Sequence, residues 1–89
     1  VMRGDELDVR RRRAAYRATH RGTKEMDWVI GRYAVSVLPN LEGEALDRLE
    51  RFLNLPDPDL QQWFYSPHLA AGTEFSELVA EMRGFHGLE

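Results

Sequence analysis

The stretch TKEMDWVIGRYAVSVLP, Thr23 to Pro39, decides the fold class, because its second half reads two ways. Tyr33 to Val37, YAVSV, has the look of a short strand. Read from further upstream, Met26, Ile30, Tyr33 and Val37 recur at i, i+4, i+7 and i+11, with Val29 and Ala34 flanking them. That is the period of an amphipathic helix, and it runs longer than the strand pattern, so helix prevails. Thr23 supplies an N-cap, Glu25 an acid for the positive helix end, and Pro39 the stop.

The neighbouring segments follow the same period. Upstream, about Asp5 to His20 is rich in Arg and Ala and predicts a first helix. Gly22 stands at the C′ position, and Arg17, His20 and Arg21 suit the negative end of the dipole. Downstream, a third helix from about Gly43 to Asn54 points Leu46, Leu49, Phe52 and Leu53 to one side. In PDPDLQQWF, Asp57 can cap, Pro58 fits the first helical position and Asp59 favours the positive dipole end. The fourth helix carries Leu60, Trp63 and Phe64 and stops near Pro67. Thr73 is expected to cap the last helix, with Phe75, Leu78, Val79, Met82 and Phe85 facing inward. The expectation is an all-α, compact five-helix bundle: a single domain over 1–89, its helical core about 5–86, its ends frayed and its last two residues a tag remnant.

Eighty-nine residues suffice for one domain, whose small core leaves little room for a deep catalytic cavity. No cysteine is present, which excludes disulfides, thiolate metal sites and cysteine nucleophiles together. The apolar runs are too short to cross a membrane, and no secretion leader precedes the first helix. The net charge of −3 hides an asymmetry: residues 1–32 carry net +4 and residues 33–89 net −7. One end of the fold is therefore expected to be positive and to suit an acidic or anionic partner.

Each candidate constellation has a plain alternative. The run Arg10 to Arg13 could meet nucleic acid phosphates, but Asp5, Glu6 and Asp8 lie one turn upstream and can pair with it. A nucleic-acid reader would also want a second basic element, so nucleic acid is the alternative rather than the leading partner. His20, His68 and His86 lack ligand spacing; no metal site is expected, and His68 and His86 read as surface or loop residues. Ser36, Ser66 and Ser76 have no activating neighbour, and no two-carboxylate cleft is visible, so no catalytic residue is assigned and the chain is not read as an enzyme. RGTKE, Arg21 to Glu25, can be a helix stop and cap. Glu25, Trp28 and Arg32 nevertheless share a helix face away from the apolar stripe. Trp28 either packs under the first helix beside Ala14, Ala15 and Ala18, or stays exposed beside Arg21, Gly22 and Glu25 as an interface anchor.

The segments RRRRAAYRATHRGTKEMDWVIGRYA, LDRLERFLNLPDPDLQQWF and ELVAEMRGFH resemble the succinate dehydrogenase FAD assembly factor family, from about Arg10 to His86. The family's Arg-Gly-x-x-Glu motif matches at Arg21, Gly22 and Glu25, and DPDLQQW follows at the family's distance. The sequence departs from the family at Ala14 and Ala15, where relatives carry larger apolar residues, and at Trp28, where they carry a smaller aliphatic. The resemblance implies a five-helix fold and a chaperone that promotes covalent attachment of FAD to the flavoprotein subunit of succinate dehydrogenase, and in some bacteria of fumarate reductase. It implies partner binding through Arg21, Gly22 and Glu25, to which Thr23, Lys24, Asp27, Arg17 and Trp28 are added as neighbours. No cofactor is expected to stay bound to this chain, since FAD belongs to the client. The protein is expected to be monomeric when free, off the membrane, and in the bacterial cytoplasm or, for the mitochondrial branch, the matrix.

Overall fold

The computed structural model describes residues 2–88, and the side chains of residues 6–88. Helix α1 spans Met2–Thr19 and α2 Lys24–Val37. A 3-10 turn, Leu38–Asn40, leads to α3, Gly43–Leu53, and then to α4, Asp57–Tyr65. A second 3-10 turn, Pro67–Ala70, precedes α5, Ser76–Phe85. Among the described residues the elements are helical throughout and no strand occurs, which matches the expected all-α bundle.

The ambiguous stretch is helix up to Val37. The Thr23 hydroxyl accepts the Met26 N–H at 3.2 Å, satisfying one of the donors that a helix start leaves open. Pro39 cannot continue the α ladder, and the chain tightens into the 3-10 turn there.

One continuous core runs through the molecule. Met26, Ile30 and Ala34 enter it from α2, and Leu46, Leu49, Phe52 and Leu53 from α3. Leu60 and Phe64 come from α4, and Leu78, Val79 and Met82 from α5. Each large apolar side chain buried this way contributes about 1.5–3 kcal/mol. Phe52 is the hub: its ring lies 5.7 Å from Phe75 and 6.4 Å from both Trp63 and Phe64, within the range of favourable aromatic pairs.

Helix α1 closes onto α2 through small residues. Ala14 and Ala18 are buried, and a Cβ added at Gly31 would meet Thr19 Cγ2 at 2.9 Å and the Ala18 carbonyl oxygen at 3.2 Å. Gly31 thus lets the two helices approach closely, a role the sequence pattern did not signal. Against α3, α1 is held by arginine. Arg10 bonds Glu50 at 3.0 and 2.7 Å and Asp47 at 2.7 Å, and Arg11 donates to the Leu41 carbonyl at 3.0 Å. Among the described side chains Arg10 pairs across the bundle, where the acidic face of α3 lies opposite, rather than with an acid one turn upstream; the Asp5 side chain lies outside the described residues.

Four local expectations are corrected. Helix α1 begins at Met2 and ends at Thr19, so His20, expected in its last turn, lies beyond it. Asp57 is the first residue of α4 rather than its cap; Pro56 takes that position. Helix α5 starts at Ser76, not after Thr73, whose hydroxyl accepts the Phe75 N–H at 3.1 Å in a local turn instead. Phe85 is 48% exposed, since the helix has passed the end of the core by then.

Candidate partner-docking site

The corner between α1 and α2 is built from both sides. On the α1 side, the Thr19 hydroxyl turns back to the Ala15 carbonyl at 2.8 Å. On the α2 side, Asp27 Oδ1 accepts the backbone N–H of Arg21 at 2.5 Å, tying the turn to the first turn of the helix. Gly22, between these anchors, has φ of +119°, a conformation that L side chains rarely adopt. A Cβ there would come no closer than 3.6 Å to Asp57 Oδ2, so the glycine is required by the backbone, not by a clash.

Arg21 does not face solvent as the sequence suggested. Its side chain is only 8% exposed and lies against the end of α3. Nε and Nη2 both reach Asp57 Oδ1, at 2.9 and 2.7 Å. Nη1 donates to the Leu53 carbonyl at 2.8 Å and Nη2 to that of Leu55 at 3.1 Å. These carbonyls sit at the negative end of α3, where a helix leaves acceptors unpaired, so a guanidinium fits in both charge and geometry. The planar fork serves Asp57 and two carbonyls at once, which a lysine could not.

Glu25 is turned the other way. It is exposed, and its two oxygens accept the Tyr65 hydroxyl from the end of α4, each at 3.1 Å. Gly22, Thr23 and Lys24 are exposed beside it. Trp28, on the same face of α2, is 46% exposed and packs on the His86 ring, not under α1. His86 is correspondingly half-buried rather than a loose surface residue, its Nε2 donating to the Val29 carbonyl at 2.8 Å. Arg17 lies on the α3 side, donating to Asn54 Oδ1 at 2.5 Å and to the Leu53 carbonyl at 3.3 Å.

The fold thus brings Gly22, Thr23, Lys24, Glu25 and Trp28 to one surface, joined by Tyr65. It turns Arg21 and Asp27 inward to hold that surface in place. Asp57, Tyr65 and His86 are the participants that the sequence did not reveal. Only Asp57 had a signal, its place at the head of DPDLQQW. Among the described residues no group of three or more His, Cys, Asp or Glu side chains could hold a metal ion, and no helix is long and apolar enough to cross a membrane. What the surface offers is an exposed carboxylate, an ammonium, an accessible glycine backbone and an indole, which are groups that recognise another macromolecule.

Comparison with known proteins places most of the chain in a family. The family described as flavinator of succinate dehydrogenase matches residues 12–86. The FAD assembly factor SdhE of Acetobacter pasteurianus is 41% identical over 61 residues, 68% of this chain and 56% of that protein. The mitochondrial succinate dehydrogenase assembly factor 2 of Debaryomyces hansenii is 35% identical over 60 residues, 67% of this chain and 42% of the relative. Its counterpart from Yarrowia lipolytica is 33% identical over 60 residues, with 67% and 41% covered. The matched part spans about half the length of these relatives or less. No solved structure gives a significant match.

Proposed function

Since this chain belongs to the succinate dehydrogenase flavinator family, we propose that it is an assembly factor that binds the flavoprotein subunit of succinate dehydrogenase and promotes covalent attachment of FAD to it. The related flavoprotein of fumarate reductase is a second client of the same kind. The observation that carries this reading is the division of the corner. The Arg21 side chain is enclosed against Asp57, while Gly22 in the turn and Glu25 in the first turn of α2 stay exposed.

In this reading the protein contributes no catalytic group and keeps no FAD of its own. The client's histidine and the flavin supply the chemistry. The factor binds one client conformation better than others and so raises the population in which those two partners are aligned. Glu25 accepts charge-assisted hydrogen bonds from the client, Gly22 lets client backbone approach, and Trp28 adds a large, half-exposed contact. Action in the bacterial cytoplasm or the mitochondrial matrix, where such clients mature, belongs to the same proposal.

The test is in-gel flavin fluorescence of the denatured client, expressed in cells that lack their own factor. Fluorescence restored by this protein and not by its Glu25→Ala variant is the expected result; equal fluorescence with and without the protein would overturn the reading. The nucleic-acid alternative is weakened by half of its run, since Arg10 and Arg11 are engaged by Glu50, Asp47 and the Leu41 carbonyl while Arg12 and Arg13 stay exposed.

A further inference from the structure

We infer that Asp57, at the head of α4, is a positioning residue of the docking corner, and that Arg21 acts on the client through it rather than by touching the client. The inference rests on the assembly-factor reading of the corner and assigns its parts.

Three observations carry it. The Arg21 side chain is 8% exposed, which leaves little of it for a partner to reach, while Asp57 is 28% exposed. The guanidinium makes two contacts with Asp57 Oδ1 and two with the Leu53 and Leu55 carbonyls, so its donors are directed into the α3–α4 junction. The other carboxylate oxygen of Asp57 stands 3.6 Å from the position of a Gly22 Cβ, placing the same side chain directly behind the turn. Asp57 therefore backs both halves of the Arg-Gly pair. The element DPDLQQW and the element RGTKE, far apart in sequence, form one mechanical unit.

The physical consequence is orientation. Helix α4 contributes Asp57 at its start and Tyr65 at its end, and these meet Arg21 and Glu25 respectively. The corner is thus gripped at both ends of one rigid helix. Loss of the Asp57 grip frees the turn at Gly22, and the Glu25 carboxylate then samples more directions before binding. A client that needs one of them binds less tightly for that entropic reason. Asp57 also meets Arg21 in a sheltered site, where replacing it leaves the guanidinium with one strong acceptor fewer.

The test uses Asp57→Asn, Arg21→Lys and the double variant, with Arg10→Gln as a control that removes a different interhelical ion pair. Two quantities are read: client affinity by titration, and amide hydrogen exchange at residues 22–25 in the free protein. Asp57→Asn is expected to bind the client about tenfold more weakly and to exchange faster at residues 22–25. The double variant should bind no more weakly than Arg21→Lys alone, as two members of one unit do. Arg10→Gln should lower the melting temperature without either effect, which separates positioning from general destabilisation. Wild-type affinity and exchange in Asp57→Asn, beside a large loss in Arg21→Lys, would overturn the inference and make Arg21 a direct contact. If the wild-type protein fails to bind or flavinylate the client, the functional reading falls. Exchange in the free Asp57→Asn variant then still decides the grip on the corner: faster exchange upholds it, and unchanged exchange overturns it.

Discussion

The indole of Trp28 and the imidazole of His86 stack with ring centroids 4.0 Å apart and planes tilted by 41°, joining α2 to the end of α5. The contact is reinforced by the hydrogen bond from His86 Nε2 to the Val29 carbonyl one residue further along α2. It gives the half-exposed indole a packing partner on the face that also carries Glu25. His86→Ala removes both interactions and should lower unfolding free energy by about 1–2 kcal/mol, read as a lower urea midpoint at unchanged slope. A wild-type midpoint would show that the stack contributes nothing.

Glu25→Ala should leave the fold intact, since the carboxylate is exposed and its bond is to the Tyr65 hydroxyl alone among the described contacts. The stability change is expected within about 0.5 kcal/mol, while covalent flavin on the client falls sharply. Tyr65→Phe keeps the carboxylate but frees its orientation, and should give an intermediate loss in the same gel assay.

Gly22 tests the backbone argument. Gly22→Ala has room for its methyl but must hold φ near +119°, at a cost of about 1–3 kcal/mol. Gly22→Arg adds to that strain a second guanidinium near Asp57, in competition with Arg21. Thermal melts should rank wild type above Gly22→Ala and Gly22→Ala at or above Gly22→Arg, with flavinylation falling in the same order.

Gly31→Ala runs against helix propensity. A mid-helix glycine normally costs roughly 1 kcal/mol relative to alanine, so the change would be favourable on an open helix. Here the new Cβ meets Thr19 Cγ2 at 2.9 Å and the Ala18 backbone oxygen at 3.2 Å, and the Thr19 hydroxyl is already held by the Ala15 carbonyl. Overpacking of this kind costs about 1–3 kcal/mol, so the melting temperature should fall rather than rise.

Tyr33 gives the fold an alkaline sensitivity. Burial first, and then the hydrogen bond to Glu81 at 2.7 Å, push its phenol well above the ordinary tyrosine value. Above about pH 10, the ordinary value, the unfolded chain loses a proton that the folded chain keeps. The folded state then binds more protons, so stability declines as pH rises through that range. Tyr33→Phe retains the ring that meets Phe85 edge-on at 5.8 Å and removes the titration. Melting temperatures between pH 9 and 11 should fall less steeply for the variant than for the wild type.

The sequence by itself determined that the protein is helical, roughly where each helix runs, and which residues form most of its core. Those properties follow from local rules: the 3.6-residue period of Met26, Ile30 and Ala34, the cap at Thr23, the break at Pro39, and the narrow apolar face of α3. It also displayed RGTKE as a joint with charges beyond what a joint requires. Only the tertiary structure decided which way those charges point. Arg21 and Glu25 are four residues apart, yet one is drawn into the α3–α4 junction and the other left in solvent. The difference arises because the carbonyls of Leu53 and Leu55 and the carboxylate of Asp57 converge within reach of Arg21 and away from Glu25. Long separation in sequence likewise hid the partners of Arg10 on α3 and of Trp28 just past α5. A helical period specifies the face on which a side chain lies, but what it meets there depends on how separate helices pack.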